Sequence, residues 1–318
     1  MKIDFSQCEI VEPRGAVLKS FYRKMWEVFP YDRPIYDVLM KEEDSFYPMQ
    51  NYALYYGNKL LGNSGIFPFR IWMPGGWVTI LGIGAVATMP EYRRQGVASA
   101  LLKHCMSLID EKKVPSVLFT ELPSVYEPFG FEIISQNYRA VSVKENTPDL
   151  PEKDFRTVDT LEDRDMESIT RLYRSSPVFT GKVQRDDSYW RFYRMMFNPY
   201  EKPEIVFFSP GGIDAGYARY EREQDRLTLT ELSCPGDRED ILQALLSFLY
   251  RKSLQAGFPM LTVAMSPDHA VWKYLRGQKL PSVTEAKGVR RETFMLRTAA
   301  EEKKQPGISL FWSLSDKF

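Results

Sequence analysis

Apolar residues first recur at helical intervals. In AVLKSFYRKMWEVFP, Leu18, Phe21, Met25, Trp26 and Phe29 share one face, which predicts a helix over residues 16–30. A shorter helix is expected after Pro34. From Asn51 the period shortens: NYALYY reads as a strand, GNK as a turn and LLGNSGIFPFRIW as a second strand. The PGG at residues 74–76 turns the chain into WVTILGIGAVAT, completing an antiparallel meander of three strands. Beyond Pro90 the helical period returns over about residues 96–112, with Val97, Leu101, Leu102, Cys105, Leu108 and Ile109 as the buried stripe. PSVLFTEL predicts a short strand of the buried, parallel kind. A one-turn helix near residues 124–127 leads through Gly130 into FEIIS and a last strand at YRAVSV.

The polar, proline-bearing stretch ENTPDLPEKD marks a domain boundary, and beyond it the order of elements repeats. Helices near residues 163–173 and 188–196 precede the strand EIVFFS, a second PGG turn, and the strands DAGYARYERE and RLTLTELS. A long amphipathic helix (239–255), the strand MLTVAMS, a short helix near 269–275 and the strand ETFMLRT follow. An order repeated at this scale predicts a duplicated fold. We place one domain over residues 1–146, a second over 147–300 and a tail over 301–318.

Composition narrows the classes of function. Of 318 residues, 44% are hydrophobic and 26% charged, which is globular composition with room for two domains. Lys+Arg and Asp+Glu balance at 42 each, so the basic excess of a phosphate-gripping nucleic-acid binder is missing. No segment approaches the length of a membrane span, and MKIDFSQCEIVEPRG lacks the apolar run of a signal peptide. Cys8, Cys105 and Cys234 stand far apart, with only two histidines and neither a CxxC nor an HExxH pattern. No metal site is expected, and the thiols read as reduced, as in a cytoplasmic protein.

Several short motifs fail on context. GIGAVA (residues 82–87) has the letters of a dinucleotide fingerprint, but Thr88, Met89 and Pro90 follow where a helix should start. Its glycines better suit a strand that another backbone, or a ligand resembling one, approaches closely. GNSG at residues 62–65 lacks the glycine spacing of a hydrolase elbow, and TGK at residues 180–182 lacks the rest of a P-loop.

Arg93-Arg94-Gln95-Gly96-Val97-Ala98 is placed differently, after a strand and at the first turn of a helix. Free N–H groups and the helix dipole there favour an anion, Gly96 removes the Cβ in its way, and the arginines add charge. The alternative is a solvated basic turn.

The stretch ILGIGAVATMPEYRRQGVASALL resembles the acetyl-CoA-binding core of the GCN5-related N-acetyltransferase (GNAT) superfamily. The resemblance implies that Val86, Ala87 and Thr88 face the pantetheine arm and thioester, and that Arg93, Arg94, Gln95, Gly96, Val97, Ala98 and Ser99 hold the pyrophosphate of acetyl-CoA. SVYEPFGF resembles the superfamily's Y-x-x-x-G-F segment, which makes Tyr126 the candidate acid for the departing thiolate; otherwise it is a tyrosine packed on the sheet. A phenol with a pKa near 10 suits a thiolate of similar basicity.

RDDSYW, GYARY and TELS are similar to the second domain of the enhanced-intracellular-survival family, whose two GNAT-like domains stand in tandem before a third, sterol-carrier-like one. The implied fold is α/β (α+β): two tandem GNAT-like domains, each a mixed, mostly antiparallel sheet flanked by helices. The third domain is expected to be missing. The second domain's helix starts from CPGDRED, whose Asp237, Glu239 and Asp240 would repel a pyrophosphate, so a non-catalytic copy is expected.

The implied reaction is acetyl transfer to a primary amine of a small molecule or peptide, with no metal, nucleic acid or membrane involved. The Phe318 carboxylate, Glu121 and a bound water remain open as bases, and the tail could equally pack its apolar residues on a domain surface. Glu27, Asp32, Glu42, Glu43 and Asp44 lie where the superfamily often recruits substrate. The competing class is an acyl-CoA-binding sensor or scaffold without turnover.

Overall fold

The computed structural model describes residues 3–30, 33–41, 49–136, 138–142, 150–158, 160–200, 204–223, 225–236, 238–277, 283–286 and 292–299. The tail, with Phe318, lies outside the described residues, as do the first half of the ENTPDLPEKD boundary and Asp237.

The first half contains β1 (Cys8–Val11), α1 (Gly15–Val28), α2 (Arg33–Lys41), β2 (Gln50–Tyr56), β3 (Lys59–Met73), β4 (Gly76–Thr88), α3 (Val97–Lys112), β5 (Ser116–Thr120), β6 (Glu132–Ile133) and β7 (Arg139–Ser142). The second contains β8 (Phe155–Val158), α4 (Asp163–Ser175), α5 (Asp187–Tyr200), β9 (Ile205–Phe208), β10 (Gly216–Arg222), β11 (Leu227–Ser233), α6 (Glu239–Gln255), β12 (Met260–Val263), α7 (Ala270–Gly277), β13 (Val283–Glu285) and β14 (Thr293–Arg297). The helices and long strands match the sequence periods. The short strands β1, β8 and β13 are additions, so the expected three-strand meander gains β1 at its edge.

Two seven-stranded sheets result, ordered β1-β2-β3-β4-β5-β14-β6 and β13-β7-β12-β11-β10-β9-β8. In each, five strands of one half are antiparallel except for one parallel step, β4 to β5 and β11 to β12. The sixth position of each sheet is filled by the other half. β7, read from sequence as the last strand of the first domain, pairs with β12 and β13; β14 pairs with β5 and β6. The division drawn at residue 146 thus leaves one strand of each sheet on the far side.

The halves also share a core. Phe21, Tyr22 and Met25 of α1 and Tyr36 and Leu39 of α2 join Phe67 and Phe69 of β3 with Tyr189, Trp190 and Phe192 of α5 in one buried cluster. Across this seam the far end of β3 exchanges backbone hydrogen bonds with residues 181–184, including Gln184 N–H to Arg70 C=O at 2.7 Å.

RDDSYW, GYARY and TELS converge inside the second sheet. Arg185 donates to both oxygens of Glu231 at 3.1 and 2.6 Å, and Tyr217 donates to the same carboxylate. Burial and the Glu231 charge push the Tyr217 phenol well above its ordinary value, so it remains a donor. The Arg185 guanidinium lies 3.9 Å from the Tyr173 ring centroid and 5.0 Å from that of Trp190. Two buried charges survive here because bidentate pairing, a phenol and aromatic faces replace water.

Glu231→Leu should therefore cost about 3–5 kcal/mol by stranding Arg185, and adding Arg185→Met should recover most of it. Urea unfolding of the single and double variants checks both.

Candidate active site

β4 and β5 pair in parallel at only two positions, Leu81 with Ser116 and Gly82 with Val117. Beyond Gly82 the strands part, and Gly84, Ala85, Val86 and Thr88 become partly accessible. The direction of their amides follows from the ladder. Leu81 N–H reaches across to Pro115 C=O, so Leu81 and Ile83 face the β5 side. Met89 N–H binds Leu61 C=O on β3, so counting back puts Ala87 toward β3 and Val86 and Thr88 toward the gap. The change of parity needs one extra residue. It is a bulge opposite Ser64, where Ala85 takes φ 48°. Val86 and Thr88 therefore present backbone groups along an open strand edge, whereas Ala87, grouped with them in the sequence reading, is buried and faces β3.

The edge runs into the arginine loop. Arg94 has φ 60° and Gly96 φ 89°, so the chain reverses sharply before α3. The first bond within the helix is Ala100 N–H to Gly96 C=O at 3.0 Å, leaving the N–H groups of Val97, Ala98 and Ser99 without intrahelical acceptors. Arg93 and Arg94 are exposed, and neither has an ion-pair partner among the described residues. Gln95 instead anchors the loop, donating to Glu91 C=O at 3.3 Å. Gly62 on β3 brings the helix this close: a Cβ there would stand 2.4 Å from Ala87 O and 2.7 Å from Val97 Cγ1. The ring of Phe5 closes the outer side, 3.6 Å from where a Gly96 Cβ would be.

Tyr126 lies between two short 3-10 turns, Pro123–Val125 and Glu127–Phe129, on the α3 side of the sheet. It is buried with Ile83, Leu102, Leu118 and Phe131, and Val86 packs against the same cluster. Burial raises its pKa, and a hydrogen bond with the Thr120 hydroxyl opposes that, so the phenol is protonated at neutral pH. The turn is pinned from the far end of the chain: Arg297 of β14 donates to Phe129 C=O at 2.9 Å and pairs with Asp110 of α3 at 2.7 Å. Sequence reasoning missed this anchor, which joins residues 168 apart. It also missed Asn63, whose signal was the polar pair Asn63-Ser64 inside an apolar strand.

The other sequence candidates are scattered. Glu121 is exposed just past β5, and Glu27 is exposed beside Lys24. Asp32, Glu42, Glu43, Asp44 and Phe318 lie outside the described residues. A cavity of about 730 Å3 opens elsewhere, between Arg70, Trp77 and Thr79 of the β3–β4 hairpin and Tyr173, Lys182 and Tyr189. Thr79 is roughly 23 Å along an extended strand from Val86, so this cavity is separate from the open edge.

The acetyltransferase (GNAT) domain family matches residues 17–134, the stretch holding β4, the arginine loop and Tyr126. Residues 17–134 therefore hold a GNAT acetyltransferase domain. An uncharacterized N-acetyltransferase of Streptomyces avermitilis is 34% identical over 79 residues, 24% of this chain and 19% of that protein, so the match spans about a fifth of the curated relative. The whole chain shares its fold with longer proteins of known structure. A probable N-acyltransferase of Enterococcus faecalis superimposes with TM-score 0.62 at 15% identity, over 92% of this chain and 73% of that one. Eis1 from Mycobacterium abscessus gives 0.60 at 16%, over 93% and 74%. A GCN5-related N-acetyltransferase from Anabaena variabilis gives 0.59 at 18%, over 92% and 73%.

The two GNAT-like units can be overlaid on their close-packed glycines. A Cβ on Gly216 would meet Ile241 Cγ2 at 2.5 Å and Ser233 O at 3.2 Å, so Gly216 corresponds to Gly62, Ser233 to Ala87 and Ile241 to Val97. The chemistry differs at the helix start and along the strand edge. Where the first unit has free arginines, Arg238 is the N-cap of α6 and is tied to Asp240 by bonds of 2.8 and 2.6 Å. Where Val86 faces a gap, its counterpart Leu232 has its carbonyl 3.2 Å from His269 Nε2. His269 Nδ1 accepts from Val271 N–H at 3.1 Å, so the ring is the neutral Nε2–H tautomer, and burial lowers its pKa to about 4.

Because the unfolded imidazole takes up its proton near pH 6.5 and the folded one only near 4, stability should fall as pH drops through that window. The loss should reach about 3 kcal/mol. Urea unfolding at several pH values should show this slope in the native protein and a flatter one in His269→Gln.

Proposed function

We propose that this protein transfers an acyl group from acetyl-CoA to a primary amine by direct attack. The observation that carries the reading is the open β4 edge running without a break into a glycine-capped helix start flanked by two arginines with no ion-pair partner among the described residues. An extended, amide-bearing arm suits such an edge as an added strand would. A diphosphate suits the free N–H groups of Val97, Ala98 and Ser99, and the Gly96 cradle has no Cβ to exclude it. Acetyl-CoA supplies the activated acyl group.

The protein's residues then have separable tasks. Val86 N–H donates to the acyl oxygen and stabilises the charge that develops there. The amine nitrogen forms the new bond to the acyl carbon as the carbon–sulfur bond breaks, and the Tyr126 phenol gives its proton to the sulfur. The proton lost by the amine goes to a base drawn from Glu121, the Phe318 carboxylate or a water. The second unit serves as a wall and support: Asp240 neutralises its helix start, and His269 occupies the edge at Leu232.

Tyr126→Phe should lower kcat about a hundredfold while the Kd for coenzyme A stays within about threefold. Thiol release with a panel of polyamines, aminoglycosides and lysine peptides, alongside calorimetry, measures both. Tight binding without turnover on any amine would favour a sensor, and no binding would overturn the reading. Arg93→Gln with Arg94→Gln should weaken coenzyme A binding by about tenfold per arginine and flatten its salt dependence.

A further inference from the structure

Two locally unfavourable features face each other beneath the open edge. Ala85 is a non-glycine residue at φ 48°, a conformation costing roughly 1–2 kcal/mol. As the extra residue of a bulge, it turns its carbonyl out of the β3–β4 ladder. Opposite it, the fully buried Asn63 donates from Nδ2 to that carbonyl at 3.0 Å and to Asn51 Oδ1 at 3.2 Å. A backbone carbonyl can only accept, so the amide's orientation is settled: its NH2 edge faces Ala85. This leaves Asn63 Oδ1 buried without a hydrogen-bond partner. A stranded buried acceptor costs roughly 1–3 kcal/mol. A strand selected for stability alone would carry a β-branched apolar residue here.

The matched position in the second unit does something else. Tyr217 corresponds to Asn63, and its phenol also reaches across toward the bulge, but to the Glu231 side chain of the buried ion pair. That unit's bulge is held from its own strand, by the Thr230 hydroxyl donating across to Arg219 C=O at 3.2 Å. The first unit alone uses a side chain to grip the backbone carbonyl of the strained residue.

We propose that Asn63 is a positioning residue which, by gripping the Ala85 carbonyl, locks the bulge in the one arrangement that turns Val86 N–H into the gap to polarise the acyl carbonyl. Asn63 touches neither the acyl group nor the amine; it acts through Val86. The inference rests on the acyl-transfer reading above and adds to it a named source for the amide's geometry. Losing the grip frees the Ala85–Val86 peptide to rotate within the bulge, which withdraws Val86 N–H from the gap. Coenzyme affinity, set by the arginine loop, is untouched.

The test compares native protein with Asn63→Leu and Asn63→Asp. It measures acetyl-CoA affinity, kcat, and the thioester carbonyl frequency of bound acetyl-CoA by Raman difference spectroscopy. Native protein should lower that frequency. Asn63→Leu should return it toward the free value and cut kcat about thirtyfold or more, with Kd within about threefold. Asn63→Asp keeps the outline of asparagine: protonated it restores one donor, ionised it sets an acceptor against the Ala85 carbonyl. Its kcat should fall with rising pH relative to native protein, within one folded species, which settles the matter if the leucine variant does not fold. A native frequency shift that survives unchanged in folded Asn63→Leu, or a native-like pH profile in Asn63→Asp, would overturn the inference alone. No shift and no thiol release in native protein would overturn the acyl-transfer reading and this inference with it.

Discussion

The candidate site depends on a failure of pairing: two parallel strands that meet at Leu81 and Gly82 and then separate. Unpaired backbone inside a sheet is costly unless water or a ligand satisfies it. Everything around the gap keeps it open. The bulge at Ala85 changes which amides face it, Gly62 lets α3 start against its end, and Arg297 holds the Tyr126 turn on its far side. Of these only the bulge is itself strained, and together they leave one stretch of strand edge available for an extended molecule.

Much of this was legible in the chain. The helices, the long hairpin and the arginine loop follow from local periodicity and turn chemistry, and the repeat is visible because both halves use the same order of elements. What the chain could not show is partnership between distant segments. Alternation says which face of a strand is buried, never which strand lies beside it, so YRAVSV and ETFMLRT read as natural ends of their own halves. RDDSYW, GYARY and TELS drew attention separately, yet their common purpose is one ion pair between Arg185 and Glu231. Asn63 was passed over because its partner is a carbonyl whose exposure depends on a bulge, and a bulge has no letter of its own. Phe318 and the acidic segment before the meander lie outside the described residues.

The comparison of the two units shows how little of a fold separates an open edge from a closed one. Both keep the glycine that admits a helix against the central hairpin, and both keep the parting of the parallel strands. In the second, the helix start carries its own counter-charge, the gap receives a neutral imidazole, and the bulge region is consolidated by a buried salt bridge. Each change satisfies from within a group that the first unit leaves for something else to satisfy.

The exchange of β7 and β14 has a temporal consequence. A ribosome that has just released the Tyr126 turn has already delivered the arginine loop, the bulge and β5. The strand that must lie against β5, and the arginine that fixes the turn, are still untranslated, since Thr120 pairs with Thr293. Contacts of such separation form late. The sheet edge at β5 therefore waits, needing shelter from stray pairing, until nearly the whole second half has emerged. Maturation of the gap is thereby coupled to synthesis of β14, and a product truncated before it would carry the coenzyme motif without the geometry to use it.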